Sequence, residues 1–157
     1  MGRLVRIVVG VDGSEGSHRA LEWAVAEAAR WEATLTIVHA WRFGVSPTDP
    51  NAAEATRRIW RAAQHVVDHE VAFARDGGVD ATGTLILESA ARALIDASTD
   101  TELLVVGSRG RGAVAATLLG SVSQACLRHA HCPVVVVPDA GQHDRSEPLA
   151  ESAGASR

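Results

Sequence analysis

Short apolar runs alternate with stretches of helical periodicity along most of the chain. The first run, VRIVVGV at 5–11, is rich in β-branched residues and leads into the polar turn DGSEGS, a pattern typical of a buried strand followed by a helix start. Similar apolar runs predict strands at 34–39, 81–87, 103–106 and 134–137. Spacings of three and four predict helices at about 16–31, 53–75 and 121–129, and one after a Ser89 cap.

This alternation predicts one α/β domain over residues 1–138, a doubly wound parallel sheet with helices on both faces. Its apolar strands are continuous, as expected for strands buried on both sides. The 40–51 loop carries Gly44, Pro47 and Pro50 and exceeds the usual connection length, so it is a candidate lid or binding loop. Residues 139–157 lack periodic apolar positions, and we expect a disordered C-terminal tail.

Composition removes several classes of function. The net charge is −4, with 19 acidic against 15 basic residues, so we expect no nucleic-acid partner, because such surfaces carry a basic patch. No run approaches the roughly 18 apolar residues of a membrane span, and Asp12 interrupts the N-terminal run without a cleavage site. We therefore expect a cytoplasmic protein with no membrane partner. Every basic residue is arginine, which excludes the lysine of a Walker-type phosphate loop.

The stretch GSRGRGAVAATLLGS, residues 107–121, follows the predicted fourth strand. Gly107, Gly110 and Gly112 let the backbone curl with its N–H groups turned inward, and such nests bind anions. Gly120 and Ser121 begin the next helix, whose free N–H groups and dipole also attract phosphate. Arg109 or Arg111 can add a bidentate phosphate contact. Ligands of open α/β sheets bind beyond strand ends, so the loop after the first strand, GVDGS at 10–14, is the natural partner of this stretch.

The spacing G-x2-G-x9-G-[ST], at Gly107, Gly110, Gly120 and Ser121, resembles that of the ATP-binding universal stress proteins. The likeness extends to IVVGVDGS (7–14), TIVHA (36–40), VVGSRGRG (105–112), LLGSVS (118–123) and HAHCPVVVV (129–137). It implies a Rossmann-like fold of five strands in the order 3-2-1-4-5. It also implies a homodimer paired through the last strand, Val134–Val137, and binding of ATP.

The resemblance also implies roles for individual residues. Asp12 corresponds to an acid near the ribose and phosphates, with Mg²⁺ or Mn²⁺ as a candidate ion between them. Gly10 and Val11 correspond to backbone under the nucleotide, and Ala40 to an adenine contact. The phosphate loop corresponds to Gly107, Ser108, Arg109, Gly110, Arg111, Gly112 and Ala113, and the phosphate contact at the helix start to Gly120, Ser121 and Val122.

Three other features invite chemical interpretations. HVVDH at 65–69 echoes a helical zinc motif, yet it has Asp for Glu and no evident third ligand. CLRHAHC at 126–132 collects two cysteines and two histidines, although free cysteine is commonly a small buried hydrophobe. His39 ends the second strand and is a candidate base. For all three, a solvated or buried structural role is the favoured interpretation.

The favoured function is an ATP-binding regulatory protein of stress responses that hydrolyses ATP slowly or not at all. It would act as a nucleotide-dependent switch toward partner proteins that the sequence does not identify. A weak ATPase or nucleotidyl-transferring enzyme is the alternative, disfavoured because no residue evidently orients a nucleophile. An interaction protein that binds no nucleotide also stays open. A dinucleotide oxidoreductase is disfavoured because GVDGS is not G-x-G-x-x-G.

Overall fold

Five strands alternate with four helices in the computed structural model, which describes residues 5–44, 46, 48–111 and 119–139. The elements are β1 (Arg6–Gly10), α1 (Glu15–Trp31), β2 (Thr34–Trp41), α2 (Ala52–Asp76), β3 (Ala81–Leu87), α3 (Ala90–Ala97), β4 (Leu103–Gly107), α4 (Ser121–His129) and β5 (Val134–Val137).

All strands are parallel, in the order β3-β2-β1-β4-β5. The predicted doubly wound sheet and its strand order are therefore confirmed. Strand β1 pairs with β2 on one side and with β4 on the other, where Val9 lies opposite Val105. The strand order reverses between β1 and β4, and their carboxyl ends lie side by side at the point where open α/β sheets bind ligands.

Two cores lie on opposite faces of the sheet because successive side chains of a strand point to opposite sides. Val9 and Val105 pack on one face, with Leu21 of α1. Val8 and Leu104 pack on the other, where helices α3 and α4 contribute their buried residues. This arrangement explains why the strands are continuously apolar.

The element bounds differ from the predicted ones at a few places. Strand β2 continues to Trp41 rather than ending at position 39, because Trp41 keeps its register with Leu87 of β3. Its carbonyl also accepts a hydrogen bond from the Glu88 N–H at 3.1 Å. Ser89 stands at the N-cap of α3, but its side chain makes no capping hydrogen bond.

The predicted C-terminal tail begins at Asp139, two residues after β5. The side chain of Asp139 contacts those of Arg19 and Arg109. The rest of the predicted tail, 140–157, lies outside the described residues. Among the helices that the structure describes, none is long and apolar enough to cross a membrane.

Leu21 anchors α1 to the sheet, and its side chain is fully buried. We expect Leu21→Ala to lower the free energy of unfolding by about 2–5 kcal/mol, since it removes buried methyl groups and leaves a cavity. The neighbouring Glu22→Ala, at an exposed position, should change it by less than about 0.5 kcal/mol. Urea unfolding of both variants checks this, and equal effects would contradict the assigned orientation of α1.

Candidate functional site

A cavity of about 610 Å³ opens at the carboxyl ends of β1 and β4. Its volume falls within the range of small-molecule sites. Eleven residues selected from the sequence border it: Gly10, Val11, Asp12, Ala40, Gly107, Arg109, Gly110, Arg111, Gly120, Ser121 and Val122. Ser108 lies beneath its wall, 2% exposed. Gly112 and Ala113 lie outside the described residues.

Asp12 joins the loop after β1 to the loop after β4. Its Oδ1 accepts hydrogen bonds from the Ser14 N–H at 2.9 Å and from the Ser14 hydroxyl at 2.5 Å. Its Oδ2 accepts the N–H of Arg111 at 2.8 Å. The Asp12 N–H in turn donates to the Ser17 hydroxyl, and Ser14 Oγ caps α1 by accepting the Ser17 N–H. The helix cap is therefore Ser14, which leaves Asp12 free to span the two loops.

These contacts keep Asp12 ionised. Partial burial by itself would raise the pKa of Asp12, but the hydrogen bonds from Ser14 and from the Arg111 N–H outweigh it. The pKa of Asp12 consequently lies below its ordinary value of 3.8. A charged carboxylate therefore stands at the rim of the cavity at neutral pH.

The glycines of the motif allow close backbone approach. A Cβ on Gly110 would lie 2.5 Å from Oδ2 of Asp12, and one on Gly107 would lie 3.0 Å from the carbonyl oxygen of Gly16. A Cβ on Gly120 would meet only ordinary contacts, at 3.5 Å or more. A methyl group at Gly110 would therefore displace the Asp12 carboxylate, and one at Gly107 would press on the backbone of α1, whereas Gly120 has room for a methyl group.

Ser108 fixes the distance between the β4–α4 loop and helix α4. Its carbonyl accepts the Gly120 N–H at 2.7 Å and the Ser123 hydroxyl at 3.1 Å, while its N–H donates to the carbonyl of Val137 at 2.8 Å. Gly120, the N-cap of α4, has no side chain to satisfy the first N–H groups of the helix. The first N–H groups of the helix have no capping side chain at this position, and Ser121 and Val122 border the cavity.

Part of the cavity wall is apolar. It is formed by Val38, Ala40, Leu94, Val106 and Val122, which belong to one hydrophobic cluster. Leu94 of α3 reaches the position that a side chain at Gly10 would need, within 2.7 Å of a Cβ built there. Ala40 and Val122 were among the predicted site residues, but Leu94 was not, because the helical pattern after Ser89 gives no sign that one of its buried residues reaches the cavity.

Arg109 borders the cavity, but its guanidinium is hydrogen-bonded to a residue that does not. Its Nε donates to Oδ2 of Asp139 at 2.9 Å. His39 is likewise engaged: its Nδ1–H donates to the carbonyl of Val11 at 2.7 Å, and the side chain is buried. His39 therefore supports the loop after β1 from below.

The other two candidate clusters lie away from this cavity. His65 and His69 are exposed on α2 and border a second cavity of about 530 Å³ together with His18 and Glu70. Glu70 is buried and accepts a hydrogen bond from Nδ1 of His18 at 2.8 Å.

Burial raises the pKa of Cys126 to about 11, so its thiol stays protonated. Within the described part of the chain, no group of three or more His, Cys, Asp or Glu could hold a metal ion.

The chain is similar in sequence to one protein family. The model of the universal stress protein family matches residues 5–138. A universal stress protein of Mycobacterium tuberculosis is 35% identical over 138 residues, covering 83% of this chain and 47% of the relative. The chain belongs to the universal stress protein family.

Solved structures of universal stress proteins share the fold. UspA from Lactobacillus plantarum superposes with a TM-score of 0.77 at 22% identity, over 87% of this chain and 99% of that one. A universal stress protein solved in complex with cAMP gives a TM-score of 0.67 at 28% identity, over 85% and 96% of the two chains. The chain spans about half the length of the mycobacterial relatives it matches, 47% and 52% in two of them.

The lowered pKa of Asp12 should make the stability of this universal stress protein depend on pH. A carboxyl group with a depressed folded pKa stabilises the fold above its unfolded pKa, and that contribution is lost as pH falls through the folded pKa. We expect the free energy of unfolding to fall with pH below the ordinary value of 3.8, and Asp12→Asn to remove part of this dependence. Urea unfolding at several pH values checks it, with Asp96→Asn, at an exposed position, as control. An identical pH dependence in wild type and Asp12→Asn would contradict it.

Proposed function

We propose that this universal stress protein binds ATP in the cavity between the loops that follow β1 and β4. The observation that carries the proposal is the polarity of that cavity. Its apolar residues, among them Ala40 and Leu94, pack in one cluster, whereas Gly110 and Gly120, at the start of α4, lie close together on its wall. A flat base and a chain of phosphates match these two parts of the wall. The family member solved with cAMP supports an adenine nucleotide as the ligand.

Backbone donors would supply most of the phosphate binding. The N-terminus of α4, beginning at Ser121 and Val122, offers free N–H groups and the positive end of its dipole. In our proposal, Gly112 and Ala113 add further N–H groups from the β4–α4 loop. Charge-assisted hydrogen bonds contribute about 1.5–3 kcal/mol each. A few of them, with a base against Ala40, reach the roughly 8 kcal/mol of a micromolar complex.

A divalent cation fits the site only with help from the nucleotide. Oδ1 of Asp12 accepts two hydrogen bonds and Oδ2 accepts one, so Oδ2 retains a lone pair for a cation. Mg²⁺ is usually held by one or two carboxylates together with substrate phosphates. In the proposal, Asp12 therefore orients Mg²⁺ or Mn²⁺ against the phosphates of ATP.

The site favours holding ATP over hydrolysing it. Phosphoryl transfer requires an oriented nucleophile as well as stabilised charge. Among the described residues that border the cavity, Asp12 provides the carboxylate, and its low pKa makes it a weak base. His39 lies under the loop with its Nδ1–H donated to Val11. We therefore propose slow or no hydrolysis, with a weak ATPase or nucleotidyl transferase as the alternative.

The proposed biological role is a nucleotide-dependent switch in a cytoplasmic stress response. A ligand shifts a switch only if it binds two states with different affinities. β5 lies at one edge of the sheet and all four of its residues are half-buried. An unpaired edge favours pairing with another chain, so we propose the homodimer through Val134–Val137. Nucleotide binding at the adjacent β4–α4 loop would then alter this dimer interface or the surface that binds a regulatory partner.

Isothermal titration with ATP, with and without Mg²⁺, tests the function directly. We expect a dissociation constant in the micromolar range, tighter binding with Mg²⁺, and little ADP release over hours. Steady ADP release would establish the ATPase alternative. No heat of binding with ATP, ADP, AMP or cAMP at millimolar concentration would contradict the proposal and leave an interaction protein that binds no nucleotide.

A pair of glycine variants distinguishes an effect on ATP binding at the β4–α4 loop from a general effect on stability. Gly110→Ala places a methyl group against the Asp12 carboxylate, whereas Gly120→Ala meets only ordinary contacts. We expect Gly110→Ala to weaken ATP binding at least about ten-fold, the equivalent of 1.4 kcal/mol, and Gly120→Ala to weaken it less than about three-fold. Titration of both folded variants checks this, and an equal loss in both would contradict the proposed role of the β4–α4 loop.

A further inference from the structure

Arg19, Arg109 and Asp139 form an ion-pair cluster between α1, the β4–α4 loop and the end of β5. Oδ1 of Asp139 accepts a hydrogen bond from Nη2 of Arg19 at 3.0 Å, and Oδ2 accepts one from Nε of Arg109 at 2.9 Å. The three side chains are only 30%, 19% and 22% exposed, in the order Arg19, Arg109, Asp139. Solvent screens this cluster less than it screens an ordinary surface pair.

The backbone fixes the position of the Asp139 carboxylate. The Asp139 N–H donates to Oγ of Ser108 at 3.2 Å, and the Ser108 N–H donates to Val137. Gly16 leaves the space that the carboxylate occupies, since a Cβ there would lie 2.8 Å from Oδ1 of Asp139. Asp139 is therefore held through its backbone N–H by the buried Ser108, and its carboxylate lies in the space that Gly16 leaves open.

Arg109 belongs to the wall of the nucleotide cavity, yet its charge is directed elsewhere. It borders the cavity, and its Cα lies 3.5 Å from the position a Cβ on Gly120 would take, close to the start of α4. Its guanidinium is held by Asp139. The carboxylate holds the guanidinium at Nε and offsets its charge, so a phosphate that approached the remaining N–H donors would have to compete with Asp139 for the group.

We infer that Asp139 determines how strongly the site discriminates between nucleotides by their number of phosphates. By holding Arg109, it keeps one cation from the phosphates. ATP carries more negative charge than AMP, so a cation released at this wall would favour ATP more than AMP. The wild-type protein should therefore prefer ATP over AMP less strongly than a protein with Arg109 free. This inference rests on the proposed nucleotide site.

The test compares ATP and AMP affinities of the full chain by isothermal titration. We expect Asp139→Asn to tighten ATP binding about five-fold and AMP binding less than two-fold. Asp139→Glu, which keeps the charge, should restore a ratio close to that of the wild type. Adding Arg109→Ala to Asp139→Asn should bring the ratio back to that of Arg109→Ala alone. Asp139→Ser carries the same expectation as Asp139→Asn if the amide variant does not fold.

A second Arg–Asp pair supplies the control. Arg92 donates from Nε to Oδ2 of Asp96 at 3.1 Å on the exposed side of α3, and both side chains are more than 60% exposed. Asp96→Asn removes the same kind of pair and the same charge, and it should leave the ATP-to-AMP ratio unchanged. An equal effect of both variants would show that net charge alone is responsible and would overturn the inference.

Other outcomes also decide the matter. Equal weakening of ATP and AMP in Asp139→Asn would mean that Asp139 only stabilises the fold, and an unchanged ratio would mean that Arg109 stays away from the phosphates. If Asp139→Asn still raised the preference for ATP over AMP when combined with Arg109→Ala, another cation would be responsible. Each of these overturns the inference while leaving the proposed function intact. Failure of the wild type to bind either nucleotide would instead overturn the proposed function, and this inference with it.

Discussion

The hydrogen bond from the Arg111 N–H to the Asp12 carboxylate joins two loops that are about a hundred residues apart in sequence. It is possible only because β1 and β4 are neighbours in the sheet and because Gly110 lacks a side chain where Oδ2 lies. This closure sets the charged rim of the cavity, and the hydrogen bonds of the Ser108 carbonyl to Gly120 and Ser123 place the α4 N-terminus beside it. The apolar strands that bring the loops together thus serve the site as well as the core.

Much of the fold was predictable because its signals are local. β-Branched runs ended by polar turns identified the strands, and the segment from Ser121 to His129 was predicted with its observed bounds. The strand order followed from the family resemblance and not from periodicity. The end of β2 was missed, because its continuation to Trp41 depends on pairing with Leu87, a contact that no local pattern encodes.

The site shows the same division. Glycine spacing identified Gly107, Gly110 and Gly120, which border the cavity, whereas Ala40 and Val122 came from the family resemblance. Neither could show that Leu94 contributes to the apolar part of the wall or that Asp139 engages Arg109. These are side-chain contacts between distant elements, and Asp139 stands in a segment whose composition indicated disorder. Long-range ion pairs of this kind must be taken from the structure.

The central claim is that the start of α4 and the β4–α4 loop bind the phosphates of a nucleotide. The amide resonances of Arg111, Ser121 and Val122 report on these positions directly in a ¹⁵N-correlated NMR spectrum. We expect ATP with Mg²⁺ to shift these resonances saturably, and adenosine to shift them much less than it shifts the amide resonance of Ala40. Saturable shifts confined to residues away from the cavity, or none at millimolar ATP, would contradict it.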